Sequence, residues 1–220
     1  MSGHSKWSTI KRQKGVTDAK RGNLFTKLSN VIAIAVREGA GVEQAIEKAK
    51  EANMPKDKIQ QSVDRGLGKG QEENLETAIF EGFGPGGVAI IVETITDNTT
   101  RTASELRNLF EKHGGHLGVQ GSVAYMFTRL GEIEIGKSDF DKAVEAGASD
   151  FEETEDGFLV YTKPEDLHRV GEILGKSGNL IYRPNKGTLV QVSEPEIIGD
   201  FIDTVHELDD VQEVYLNCKL

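Results

Sequence analysis

The sequence predicts an α+β protein: an N-terminal three-helix bundle followed by two ferredoxin-like α/β domains, one inserted in the other. Three observations carry this. Apolar residues recur at helical spacing from about residue 18 to residue 66. From Ile79 the texture changes to short Val/Ile-rich runs alternating with amphipathic segments. Taken in order, those runs leave one β-α-β-β-α-β unit complete and a second divided on either side of it.

Residues 1–16 place Gly3, Ser5, Ser8, Thr9 and Gly15 between cations, which reads as an irregular arm. The first helix runs from about Asp18, a good N-cap, to Glu38, with Leu24, Leu28, Val31, Ile32 and Ala35 on one face. Gly39 to Gly41 stops it. The second helix carries Val42, Ala45, Ile46 and Ala49, and ends before Pro55 because the residue preceding a proline resists the α region. Pro55 opens the third helix, Ile59 and Val63 share a face, and Gly66 closes it. Residues 67–78 read as a linker.

Strands are expected over 87–96, 121–128 and 131–135, with a helix over 101–113 whose Ala103, Leu106, Leu109 and Phe110 share a face. A helix over 138–146 precedes two strands around Asp156-Gly157, a strong hairpin dipeptide. Pro164 to Lys176 reads as a helix and Leu180 to Tyr182 as a strand. A strand at 188–192, a helix at 195–207 and a strand at 211–216 complete the chain. The expected domains are a basic arm and bundle at 1–78, a split α/β domain at 79–130 plus 186–220, and an acidic inserted α/β domain at 131–185.

The bulk numbers narrow the function classes. The chain has 220 residues, 37% hydrophobic and 28% charged, as in a globular protein. No run approaches the roughly 18 apolar residues of a membrane span, and the first residues lack the apolar core of a signal peptide. Cys218 is the single cysteine, so no intramolecular disulfide framework exists. A cytoplasmic protein is expected, with no membrane partner and no cofactor.

Charge is the most informative feature for function. Residues 1–27 hold seven cations, Lys6, Lys11, Arg12, Lys14, Lys20, Arg21 and Lys27, against Asp18, a net of +6. The whole chain is −10, which leaves −16 on residues 28–220. Such an arm offers itself to a polyanion, and nucleic acid is the expected partner. Trp7 among the cations can stack on an unpaired base. The eight expected nucleic-acid-binding residues are therefore these seven cations and Trp7. Residues 131–220 carry 8 cations and 21 acids, so that part does not wrap a nucleic acid by itself and would suit a basic protein partner.

Other motifs have bland readings. Gly82-Phe83-Gly84-Pro85-Gly86-Gly87 precedes a strand rather than opening a helix, so it is a turn and not a phosphate cradle. His113 and His116 frame two glycines without a third ligand at a sensible spacing, and no metal is expected. Asp150, Glu152, Glu153, Glu155 and Asp156 read as a solvated hairpin edge. Asp97, Asn98 and Thr99 cap a helix, with Arg101 and Arg107 as secondary candidates for a groove. No nucleophile–base–orienter set is visible, and catalysis is not expected.

Several stretches resemble the YebC family. They are Gly3-His4-Ser5-Lys6-Trp7, Asp18-Ala19-Lys20-Arg21-Gly22, Phe25-Thr26-Lys27-Leu28 and Asn53-Met54-Pro55-Lys56-Asp57, then Glu81 to Gly87, Thr96-Asp97-Asn98 with Arg101-Thr102, and Gly121-Ser122-Val123. The resemblance runs from residue 3 to the end and implies the same fold, a helical bundle and two α/β domains. It also implies a non-enzymatic regulator of gene expression. Bacterial members are described as probable DNA-binding transcriptional regulators, and the mitochondrial branch as a translational activator of cytochrome oxidase subunit synthesis. Some bacterial members are regarded as ribosome-associated factors that help difficult nascent sequences such as proline runs. A family motif starting at residue 3 leaves no room for a transit peptide, so a bacterial-type cytoplasmic member is expected. Many members carry a longer Gly/Pro/Asn/Arg-rich segment between the first two helices, where this chain has only Gly39-Ala40-Gly41.

Three functions compete: DNA binding at promoters, RNA binding on the ribosome, and small-molecule sensing by the α/β units. No site residues support the third. Against the first, the third helix offers only Lys56, Lys58 and Arg65, offset by Asp57 and Asp64. Charge polarity and Trp7 suit RNA.

Overall fold

Residues 18–69 and 74–219 are described in the computed structural model, with side chains from residue 21 on. Helical periodicity produces α1 (Asp18–Glu38), α2 (Val42–Glu51) and α3 (Lys56–Gly66), joined by turns of three and four residues. Such short connections make successive helices antiparallel, so α1 and α3 run the same way. Their contacts keep step: Lys58 lies over the Phe25 ring, the Ser62 hydroxyl donates to Ser29 Oγ at 2.8 Å, and Arg65 donates to Asn30. Phe25, Ile32, Ala35, Ala45, Ala49, Met54 and Ile59 form the bundle core.

Gly66 sets the closeness of α1 and α3. A Cβ there would stand 2.6 Å from the Ala33 carbonyl oxygen and 2.7 Å from Val36 Cβ. Helix propensity favours alanine over glycine by about 1 kcal/mol, but overpacking against backbone costs about 1–3 kcal/mol. Gly66→Ala is expected to lose roughly 1–2 kcal/mol on balance, read from a urea-melt midpoint. A stabilised variant would show that the helices can part freely.

Two four-stranded antiparallel sheets follow. The first contains β1 (Glu76–Phe83), β2 (Ala89–Thr96), β3 (His116–Leu117) and, from the end of the chain, β8 (Val211–Leu216), in the order β3-β1-β2-β8. The second contains β4 (Phe127–Gly136), β5 (Asp150–Glu153), β6 (Gly157–Thr162) and β7 (Gly178–Pro184), in the order β5-β6-β4-β7. With α5 (Phe140–Glu145) and α6 (Leu167–Leu174), the second sheet has the β-α-β-β-α-β order of a ferredoxin-like unit. The first sheet, with α4 (Thr99–Lys112) and α7 (Pro195–His206), reaches the same strand arrangement by a different path.

Three elements differ from expectation. The central strand expected at 188–192 is absent from the first sheet; residues 186–188 make a 3-10 turn and Val190 forms a single parallel bridge to Cys218. Its place is held by β1, which begins in the stretch read as linker and runs on through residues 79–83, for which no strand was expected. Of the strand expected at 121–128 only 127–128 are extended, and they continue through 131–135 as one strand, β4, in the second sheet, while 121–126 form a loop and a 3-10 turn. Gly131 does not break it: a Cβ there would lie 2.4 Å from Thr162 Oγ1 and 2.8 Å from Leu167, so glycine permits a close crossing.

The layers explain the unbroken apolar run of β2. Val88, Ile90 and Val92 pack with Leu106 and Phe110 of α4 and Ile198, Phe201, Ile202 and Val205 of α7. Ala89 and Ile91 belong to a second core with Tyr215 and, from the other sheet, Phe127, Leu159, Tyr161 and Ile181. A strand covered on both faces has no polar side. Ile133, Ile135 and Val160 pack on the second sheet's own helices through Ala143, Val170 and Leu174. Each large side chain fully buried here contributes about 1.5–3 kcal/mol.

The bundle docks through Ala33 and Ile34 against Leu75 and Ile95. Beside this, α1 caps the end of α7: Asn23 Nδ2 donates to the Glu207 carbonyl and Lys27 Nζ to the His206 carbonyl, both at 2.7 Å. A helix leaves its last carbonyls unpaired and partly negative, so a lysine is well placed there. Among the described residues no helix is long and apolar enough to cross a membrane.

Candidate nucleic-acid interface

The expected contacts divide into three groups. Lys6, Trp7, Lys11, Arg12 and Lys14 lie outside the described residues, and Lys20 belongs to α1 with its side chain outside them. Arg21 is exposed on the first turns of α1. Lys27 differs from the rest: it is only 7% exposed, and its ammonium is held against the carbonyl end of α7. Its charge serves the docking of the bundle.

The parallel course of α1 and α3 adds two cations that the charge pattern alone did not place. Lys58 stands 5.6 Å above the Phe25 ring, so the first turn of α3 lies beside the first half of α1. Exposed Lys56 and Lys58 therefore share one end of the bundle with Arg21 and with the chain entering from the arm. Both helices also direct their unpaired N–H groups toward that end. The signal was available: an up-down-up bundle with short turns puts the N-termini of its first and third helices together.

The remaining motifs are built into the fold. Asn98 Oδ1 caps α4 by accepting from Arg101 N at 3.0 Å. Thr102 Oγ1 donates to Asp210 Oδ2 at 2.6 Å, and the Arg101 guanidinium reaches Asp97 at 2.7 Å and Asp210 at 2.9 Å. These carboxylates hold the Arg101 pKa above its usual value and commit its charge to the loop before β8. Arg107 is exposed on α4. Gly84 to Gly87 form the tight turn between β1 and β2, with Gly84 N–H donating to the Val88 carbonyl at 2.8 Å. His113 sits at the end of α4 with Nδ1 2.9 Å from the Leu109 carbonyl, and His116 lies against Phe83. Among the described residues, no group of three His, Cys, Asp or Glu is placed to hold a metal.

Two carboxylate sites escaped sequence reasoning. Glu81, 5% exposed, accepts from three backbone N–H groups: Gly121 at 2.7 Å and Val123 and Ala124 at 2.8 Å. It anchors the loop between β3 and β4. The acidic cluster is also not wholly solvated. Asp150 and Glu152 face Arg183 at 2.6 and 3.8 Å, and the Arg183 guanidinium stacks 4.1 Å from the Tyr161 ring. Arg183 holds the Asp150 carboxyl below its usual value. Glu132, on the strand next to Tyr161, is pushed up to about 7, mainly by burial and then by the nearby Glu152 carboxylate.

The fold and these sites have known relatives. The profile described as the TACO1/YebC N-terminal domain matches residues 5–69, and that of the TACO1/YebC second and third domain matches residues 75–218. The chain belongs to the TACO1/YebC family. A relative from Rubrobacter xylanophilus, named "Probable transcriptional regulatory protein", is 46% identical over 237 aligned positions, covering 99% of this chain and 95% of its own. One of the same name from Fervidobacterium nodosum is 44% identical, covering 99% and 93%. The crystal structure of the conserved hypothetical protein Aq1575 from Aquifex aeolicus superposes with a TM-score of 0.81 at 38% identity, covering 92% of this chain and 91% of that one. This TACO1/YebC member is therefore related to proteins named as regulators. The alignment with the Rubrobacter protein is longer than the 220-residue chain, so that relative carries residues which this chain lacks.

Proposed function

We propose that this protein is a non-enzymatic, cytoplasmic regulator of gene expression that grips nucleic acid with the basic end of its helical bundle. The observation that carries the reading is charge segregation: +6 on residues 1–27 against −16 on the rest, with exposed Lys56 and Lys58 beside α1. The net negative charge of the α/β body disfavours phosphate over most of its surface and directs the main contact to that end. The relatives' printed name favours DNA at promoters. One observation favours RNA on the ribosome: α3 alternates Lys56 and Lys58 with Asp57 and Asp64, a poor surface for reading bases in a major groove. The acidic domains would then face basic protein.

The arm is tested by Lys11/Arg12/Lys14→Ala. On duplex DNA each lost phosphate contact flattens the log–log salt slope by about 0.9, so the triple variant should flatten it by roughly 2–3 and weaken binding. Unchanged affinity and slope would sink the arm. Ultraviolet crosslinking in cells, with sequencing of the attached nucleic acid, separates the targets: clustered ribosomal RNA supports translation, and discrete promoter DNA supports transcription.

A further inference from the structure

We propose that the α/β body carries a second nucleic-acid contact, a stacking platform for an unpaired base made by Tyr125 and flanked by Lys186, Arg129 and Lys219. It rests on the nucleic-acid reading above and adds a surface remote from the arm in sequence.

The first support is charge. Residues 112–131, 173–193 and 214–220 contain no Asp or Glu in a chain that holds 36 acids in its 220 residues. They hold Lys112, Arg129, Lys176, Arg183, Lys186 and Lys219. The fold brings these segments together. Asn185 Nδ2 donates to the Tyr125 carbonyl at 3.0 Å and Asn185 N to the Met126 carbonyl at 2.8 Å. Thr188 Oγ1 donates to the Met126 carbonyl at 2.9 Å, and Asn217 Nδ2 to the Thr188 carbonyl at 2.7 Å. Val190 bridges Cys218, the neighbour of exposed Lys219. The acid-poor parts of an acidic body thus meet around one turn.

The second support is geometry. Tyr125 is 67% exposed on the 3-10 turn 124–126. Glu81 fixes the backbone just before it through Ala124 N–H, and Asn185 fixes its own carbonyl. A large ring displayed from a pinned backbone loses little freedom on stacking. Beside it runs a shallow groove of about 190 Å³ lined by Thr128, Leu130, Arg183, Pro184, Asn185 and Lys186. Arg183 is offset by Asp150 and Glu152, and exposed Lys186 on the groove's rim is near enough to act on Asp150 as well. Arg129 lies 5.9 Å over Tyr182 at the same end of β4 and acts on Glu93. One flat ring beside a shallow groove with cations on its rim suits an unstacked single strand rather than a duplex.

The test is fluorescence anisotropy of the full chain with labelled 12-residue oligouridylate, oligothymidylate and a duplex. Tyr125→Ala should weaken single-strand binding about tenfold with an unchanged salt slope, and leave the duplex unaffected. Tyr125→Phe should bind within about threefold of the parent, and Lys186→Ala should flatten the single-strand slope by about 0.7. Equal losses on both oligomers indicate stacking alone, and a loss confined to RNA adds a sugar contact; both support the platform. Single-strand affinity of Tyr125→Ala within twofold of the parent overturns it. If the arm variant loses binding while Tyr125→Ala does not, the platform fails and the arm stands. If Tyr125→Ala weakens binding while the arm variant does not, the arm fails and the platform stands. No binding by the parent overturns both.

Discussion

Glu81→Ala is expected to destabilise the protein by about 3–5 kcal/mol, because it strands three N–H donors around a buried site. The donors of Gly121, Val123 and Ala124 converge on one carboxylate that is almost wholly out of water. A hydrogen bond to a charged group contributes about 1.5–3 kcal/mol, and an unsatisfied buried donor costs about 1–3 kcal/mol. Part of the loop will open to water, which keeps the total below the sum of three losses. For a chain of this size the melting temperature should fall by roughly 10 °C. Glu81→Gln should fall between, since an amide offers one oxygen and turns its NH₂ toward a donor. Amide hydrogen exchange at Gly121, Val123 and Ala124 should speed up in both variants. A loss under about 1 kcal/mol for the alanine variant would mean that the loop is held by something else.

Glu132→Gln is expected to stabilise the protein above neutral pH and to do nothing in acid. In the folded chain the Glu132 carboxyl is raised from its ordinary 4.5 to about 7, first by burial and then by Glu152. A raised acid favours its protonated form in the folded state. Below about pH 4.5 both states bind the proton and there is no penalty. Between about 4.5 and 7 only the folded state holds it, so stability falls as pH rises. Above about 7 the folded state carries a buried charge, and the penalty levels off at about 3 kcal/mol. Glutamine removes the charge and keeps the shape. Urea midpoints at pH 4.5 and pH 8 test this: the variant should gain at pH 8 alone. An equal effect at both would show that Glu132 is ionised freely in the fold.

The bundle was legible because α1 repeats its apolar face from Leu24 to Ala35, about three turns, where period dominates any single residue. The inserted unit was legible for a different reason: Asp156-Gly157 marks its hairpin, and the apolar run Phe158 to Tyr161 follows it. β1 was not legible. In Glu76–Phe83 a carboxylate occupies a buried position and a glycine another, so pattern assigns both to loop or solvent. Thr188 to Val192 read as a strand for the opposite reason. Its β-branched residues fit a sheet, but the central slot is already filled by β1 through pairing that sequence does not reveal.

Counting cations shows where positive charge gathers in the sequence, but it groups Lys27 with the rest. Nothing in composition separates a lysine facing water from one facing the carbonyl end of a helix nearly 180 residues away. Tyr125 falls within the strand expected at 121–128, where pattern does not say which face it takes. Only Asn185 and Glu81, distant in sequence, show that it is held outward.

The return of the last residues to the first sheet bears on the order in which the molecule can be made. Synthesis runs from the N-terminus, and domains fold as they emerge. The unit spanning β4 to β7 lies in one uninterrupted stretch, so it has every strand it needs once Pro184 is out. The first sheet does not. β1 and β2 pair early, yet one face of β2 has no α7 and its edge no β8 until Leu216 has been added. The carbonyls that Asn23 and Lys27 cap are made only at His206 and Glu207. The bundle is therefore translated well before the carbonyls it caps, and its seating on α7 is completed only after them.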